Sequence, residues 1–144
     1  MTVIREMDIS DYDAVISLWG QTEHMSLRDA DSKHSIGLYL QRNPGLSFVA
    51  SDSRSVIGAV LVGTDGRRGY LQHLAVSSEH RGQGIGRQLV AASVNALAAM
   101  GIAKTHLFVY RENVKALRFY EQSGWFLRND VRMYSFNSST NDNV

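Results

Sequence analysis

Cysteine is absent from the 144 residues, which removes disulfides, a thiol nucleophile and any cysteine-ligated metal centre. It takes away one argument for an oxidising compartment without proving a reducing one. Charge of one sign is also lacking: the net charge is +1 with histidine neutral, far from the basic stripe of a nucleic-acid binder, so no nucleic-acid partner is expected. No apolar run approaches the ~18 residues of a membrane span, and the start, Met1-Thr2-Val3-Ile4-Arg5-Glu6, has no long apolar signal-peptide core. No membrane partner is expected, and the expected location is the cytoplasm. The single proline, Pro44, sits in Asn43-Pro44-Gly45, where it stops a short helix.

What is present suits one ordinary globular domain. Hydrophobic residues make up 44% of the chain and charged residues 20%. A chain of this length buries roughly 70% of its unfolded surface and supports a core without covalent staples. The expected organisation is a single domain over residues 1–136 followed by a loose polar tail, 137–144, with no hydrophobic pattern.

Val3 to Met7 reads as a strand, and Asp8 to Asp11 supplies helix caps. Tyr12, Val15, Ile16 and Trp19 then follow helical spacing up to Gly20. Residues 21–34 are polar without a clear period, and Ile36 to Arg42 reads as a short helix. Three strands follow, Ser47–Ser51, Val56–Val62 and Gly69–Val76, joined by short turns as an antiparallel meander. A long helix runs to about Met100, with Leu89, Val90, Val94, Leu97 and Ala98 as its apolar stripe and Gly101 as its stop. Lys104–Tyr110 is expected as a strand and Val114–Gln122 as a helix capped by Asn113; Trp125–Arg128 and Arg132–Phe136 are expected as the last strands.

The most informative segment is Leu74-Ala75-Val76-Ser77-Ser78-Glu79-His80-Arg81-Gly82-Gln83-Gly84-Ile85-Gly86, an apolar strand running through a basic, glycine-rich turn into a helix. Glycine permits close approach of a ligand to the backbone. The leading amides of a helix are unpaired donors, and the helix dipole adds positive charge there. Together they suit a pyrophosphate, with Arg81 and Arg87 adding charge. A mononucleotide loop needs G-x-x-x-x-G-K-[ST], but Arg87 and Gln88 follow the last glycine. A dinucleotide turn needs G-x-G-x-x-G with an acidic residue ~20 positions on, where this chain has Lys104 and Thr105.

The pattern R-x-x-G-x-G on Arg81, Gly84 and Gly86, preceded by Leu74-Ala75-Val76, resembles the acetyl-CoA pyrophosphate loop of the GNAT superfamily of N-acetyltransferases. The segment Asn113-Val114-Lys115-Ala116-Leu117-Arg118-Phe119-Tyr120-Glu121-Gln122-Ser123-Gly124-Trp125 is similar to the C-terminal motif of the same superfamily. More weakly, Gly63 to Tyr70 is similar to small bacterial members of the YpeA type. The likeness covers roughly residues 3–136, and its motifs lie in 70–125.

The resemblance implies an α/β (α+β) fold with a mixed, mostly antiparallel central sheet flanked by helices. It implies acetyl transfer from acetyl-CoA to an amine, by direct attack in a ternary complex and without a metal. Leu74, Ala75 and Val76 would hold the pantetheine arm, with the Leu74 backbone polarising the thioester carbonyl. The pyrophosphate would lie on Arg81, Gly82, Gln83, Gly84, Ile85 and Gly86, and Asn113, Ala116 and Phe119 would line the arm's other side. Tyr120 matches the family tyrosine that protonates the departing thiolate.

The general base stays open. Period-two alternation puts Tyr70 and Gln72 on one face and His73 on the other, and the resemblance implies that the Tyr70 and Gln72 face looks toward the acceptor. Neither Tyr70 nor Gln72 is a convincing base. Polar acceptor-site candidates lie between Trp19 and Tyr39: Glu23, His24, Arg28, Asp29 and Asp31. A peptide or small-molecule amine is expected as partner. A homodimer is open too, since family members are often dimers and no residue here demands it. The alternative reading is a non-catalytic acyl-CoA-binding module on the same fold.

Overall fold

The computed structural model describes residues 1–144. Its sheet has five strands, β1 (Val3–Glu6), β2 (Phe48–Ser51), β3 (Val56–Thr64), β4 (Gly69–Val76) and β5 (Thr105–Leu107), adjacent in that order. The first three pairings are antiparallel, and β4 with β5 is parallel. Four helices flank the sheet: α1 (Tyr12–Gly20), α2 (Lys33–Arg42), α3 (Ile85–Ala99) and α4 (Val114–Gln122). This is the expected mixed, mostly antiparallel α/β architecture.

The sheet separates two apolar layers. On one side Leu89, Val90 and Leu97 of α3 pack with Val60, Val62 and Leu71. On the other, Val15, Leu18 and Trp19 of α1 and Ile36 of α2 pack with Ala59, Leu61 and Ala75. β3 is covered on both faces, which is why it reads as an unbroken apolar run rather than an alternating one.

The entry to α1 is fixed by its aspartates. Asp8 accepts from the Ser10 amide, and Asp11 accepts from the Asp8 amide and from both Arg5 terminal nitrogens at 2.8 and 2.9 Å. The Arg5 guanidinium, followed by the Asp8 amide, holds the Asp11 carboxyl below its ordinary range, although burial acts the other way. Arg5 is half-exposed, so the ion pair itself contributes little; the backbone acceptor matters more. Asp11→Ala is expected to lower stability by about 1–2 kcal/mol at neutral pH, read from urea unfolding. Because the folded carboxyl is the stronger acid, its contribution is present above the unfolded value near ~4 and vanishes as pH falls through the folded one.

Two expectations need correction. Lys104–Tyr110 forms a strand only over Thr105–Leu107, and neither Trp125–Arg128 nor Arg132–Phe136 forms a strand at all. A three-residue β5 gives later strands almost no edge to pair with. The tail is polar but tied down: the Asn141 and Asn143 side-chain amides donate to the two Asp29 carboxylate oxygens at 2.6 and 2.8 Å, and the Asp29 amide donates to the Asn143 carbonyl.

Candidate active site

β4 and β5 pair only through Gly69–Leu71 and Thr105–Leu107, while β4 continues to Val76. Beyond Leu71 the β5-facing edge of β4 is therefore unpaired, and its backbone groups stand free for a ligand. That open edge leads into a 3₁₀ turn, Ser78–His80, and then into the glycine turn.

There Gly82 and Gly84 adopt φ of +80° and +82°, and Gly84 is the N-cap of α3. No side chain caps this helix, so its first amides keep no local acceptor. A Cβ on Gly82 or Gly84 would meet nothing within 4 Å, so the surface over these amides is clear. Arg81 donates from Nε to the Val76 carbonyl at 3.1 Å, which aligns it with the end of β4. The turn thus offers unpaired amides, an arginine and no obstructing side chain, as a diphosphate requires. Ile85 is buried in the α3-side core and acts through its backbone alone.

The other wall is α4. The Asn113 side chain caps it by accepting from the Ala116 amide. Phe119 approaches the first turn of α3: a Cβ on Gly86 would lie 3.5 Å from its ring. Phe119, Tyr120 and Trp125 form an edge-to-face run, with centroids 5.1 and 5.7 Å apart. The Tyr120 hydroxyl makes no hydrogen bond within the fold, and burial raises its pKa well above the ordinary tyrosine value. The backbone edge Leu74–Val76, the glycine turn and the α4 aromatics thus converge around the mouth where β4 and β5 part.

The acceptor-side residues are more dispersed. Glu23 reaches Arg81 loosely, at 3.9 Å, and is exposed. His24 has φ of +60° and is exposed without a polar contact. Ser26 bridges to the Tyr110 hydroxyl at 2.9 Å, tying the α1–α2 loop to the segment after β5. Tyr70 and Gln72 line a cavity of about 220 Å³ with Tyr39 and Asn43. A second cavity, about 280 Å³, is lined by Tyr12, Ile16, Arg28, Asp29, Asp31 and the tail's Asn143 among others.

His73 departs from the alternation. Leu61 pairs with Gln72 and Ala59 with Ala75, so His73 and Leu74 together stand opposite Val60: a β-bulge. The extra residue puts Gln72 and His73 on the same side, under α1 and α2, and returns Leu74 to the α3 side. His73 Nε2 lies 2.9 Å from Asp31 Oδ1, and its ring is 4.8 Å from that of Trp19. Sequence alone carried no signal for this pairing across 42 residues.

No group of three or more His, Cys, Asp or Glu side chains is arranged to hold a metal ion, and no helix is long and apolar enough to cross a membrane. The family model described as "Acetyltransferase (GNAT) family" matches residues 12–125. An acetyltransferase of Pectobacterium atrosepticum is 33% identical over 119 residues, covering 83% of this chain and 84% of the relative. Among solved structures, Ard1 from Thermoplasma volcanium superposes with a TM-score of 0.79 at 20% identity, over 88% of this chain and 84% of that one. AAC(6')-Iy in complex with the bisubstrate analogue CoA-S-monomethyl-acetylneamine does so at 0.73 and 19% identity, over 95% and 99%. The open β4 edge, the uncapped glycine turn and the family match agree: the chain belongs to the acetyltransferase (GNAT) family and is an acetyltransferase.

Proposed function

We propose that the protein transfers the acetyl group of acetyl-CoA to an amine by direct attack, with donor and acceptor bound together. The observation that carries this is the continuous track from the unpaired edge of β4 to the unpaired amides at Gly84. The residues fit the donor. Leu74, Ala75 and Val76 present backbone groups to the pantetheine amides; Arg81 and the backbone of Gly82–Gly86 take the pyrophosphate; Asn113, Ala116 and Phe119 close the other side. The Leu74 backbone polarises the thioester carbonyl as charge develops on its oxygen.

Direct attack needs no acyl-enzyme, and the chain has no cysteine to carry one. The likeness to a structure that holds CoA and an amine joined in one analogue supports a groove in which the two lie side by side. Tyr120 stands where the thiolate departs and supplies its hydrogen. Tyr70, Gln72, Glu23 and His24 border the acceptor's approach. Residues 1–136 act as one catalytic domain, with 137–144 as an appended polar tail.

Calorimetric titration tests the donor. Acetyl-CoA is expected to bind where ATP and NAD do not, and an amine panel is expected to release CoA thiol. Folded protein that binds no acetyl-CoA overturns the reading.

A homodimer is part of the proposal. Phe126, Leu127, Val131, Met133, Tyr134 and Phe136 are all more than half exposed, and β5 ends the sheet with an unpaired outer edge. Their side chains amount to on the order of 800 Å² of apolar surface, about one partner's share of a standard interface. A second copy of this chain covers both. Sedimentation at micromolar concentration is expected to give a dimer that Phe126→Asp/Phe136→Asp dissociates; a monomer at all concentrations overturns it.

A further inference from the structure

We propose that His73, held by Asp31, is the base that takes the proton from the acceptor amine; this rests on the N-acetyltransferase reading above. The bulge in β4 sets His73 on the side of the sheet that carries Tyr70 and Gln72, one residue before the Leu74 backbone. It does so at φ of +53°, in the left-handed region. That conformation costs on the order of 1 kcal/mol for a residue other than glycine. Asp31 and Trp19 hold the ring that this backbone presents.

The hydrogen bonding fixes which nitrogen is free. Asp31 Oδ2 accepts from the Arg28 amide at 3.0 Å, while Oδ1 faces His73 Nε2 at 2.9 Å. An ionised carboxylate only accepts hydrogen bonds, so Nε2 carries the hydrogen and Nδ1 carries the lone pair. Nδ1 has no partner in the fold, yet it is not enclosed: the enclosed side-chain nitrogens without partners are Trp19 Nε1 and His80 Nδ1. The fully buried Trp19 ring, tilted 54° to the imidazole, limits the imidazole's rotation. A lone pair is thus open to an incoming group, and the resulting imidazolium has a buried carboxylate partner.

Other bases are less well placed. Glu23 faces Arg81, and His106 lies beside Tyr70 at 6.0 Å between centroids. Asp31 faces His73 from the turn before α2. From α1 come Trp19 and Tyr12, whose hydroxyl donates to the Asp31 carbonyl and which burial keeps protonated. The apposed β3 residues are apolar.

In the step, Nδ1 takes one proton from the acceptor ammonium, which frees the nitrogen lone pair. That pair forms the C–N bond to the thioester carbon, and the C–S pair leaves with sulfur. The sulfur receives a proton from Tyr120, which regains one from the nitrogen as the amide forms. His73 then returns its proton to solvent, so one proton is released per turnover.

The test is the pH dependence of kcat with two acceptors, an α-amine of pKa ~7.7–8 and a primary alkylamine of ~10.4. In the wild type the acidic limb is expected to be set by the enzyme and so to be common to both acceptors. His73→Gln is expected to lower kcat about 100-fold at pH 7 and to make the limb follow the acceptor's own pKa. Asp31→Asn removes the carboxylate that orients the ring and faces the imidazolium, so kcat at pH 7 is expected to fall about 10-fold. His73→Gly suits the left-handed backbone and leaves space for added imidazole, which is expected to restore turnover; a purely packing role predicts no rescue. Acetyl-CoA affinity, read by calorimetry, is expected to stay unchanged in all three variants. His73→Gln with wild-type kcat and limb overturns the assignment, as does His73→Gly that is folded but unresponsive to imidazole. Wild-type protein that binds no acetyl-CoA fails the acetyltransferase reading instead.

Discussion

Tyr120→Phe is expected to lower kcat by roughly 100-fold or more while leaving acetyl-CoA affinity within about twofold. The variant keeps the ring, and the ring is what the fold uses: it meets Phe119 and Trp125 edge to face and packs against the α3-side core. The hydroxyl has no hydrogen-bond partner in the fold, so its removal leaves no donor or acceptor orphaned. What is lost is the hydrogen offered to sulfur as the C–S bond breaks. Burial raises the tyrosine pKa, so the phenol stays protonated throughout the physiological range and beyond. The sign matters: no alkaline limb of kcat below pH ~10 is expected from Tyr120. A phenol is already a weaker acid than a thiol, and the shift widens the gap, so Tyr120 acts mainly by hydrogen-bonding the developing thiolate. Full transfer completes only as the tyrosine is resupplied from the attacking nitrogen. Steady-state kinetics and calorimetry on the same preparation check this, and an unchanged kcat removes the acid role.

How much of this site was legible depended on whether the determinant was local. The spans Gly69–Val76 and Val114–Gln122 match β4 and α4 residue for residue, because turn glycines and the Asn113 cap bound them from within the sequence. Gly82 and Gly84 were readable as a turn for the same reason. His73 was not. Period-two alternation holds only while two strands stay in register, and the bulge opposite Val60 is a property of the β3–β4 pair, not of β4 alone. Its partner Asp31 lay in a polar stretch without period, where burial of one carboxylate has no local signature. The last strands failed differently. Phe126 to Phe136 has strand-like composition, but composition does not provide an edge, and β5 is three residues long. Apolar content without a partner within the chain left those side chains exposed.

Gly84→Val separates the ligand role of the glycine turn from its folding role. Acetyl-CoA affinity is expected to fall at least about 100-fold, the equivalent of losing two charge-assisted hydrogen bonds. Gly84 has φ of +82° and ψ of 7°, a conformation that β-branched residues avoid. The variant therefore carries backbone strain on the order of 1–2 kcal/mol, but no steric clash, since a Cβ there meets nothing within 4 Å. That clear space is where the pyrophosphate must lie to reach the first amides of α3. A branched side chain fills it, and any relaxation toward negative φ turns those amides away. Strain alone could weaken binding by loosening α3, and Gly101 offers the matched control. It ends the same helix at φ of +86° with the same empty surroundings, remote from the donor track. Gly101→Val is expected to lose comparable stability in urea unfolding yet bind acetyl-CoA as the wild type does. If both variants lose affinity equally, the effect belongs to the helix and the turn is not the pyrophosphate site. If Gly84→Val alone loses it, the diphosphate rests on the amides that this glycine leaves uncovered.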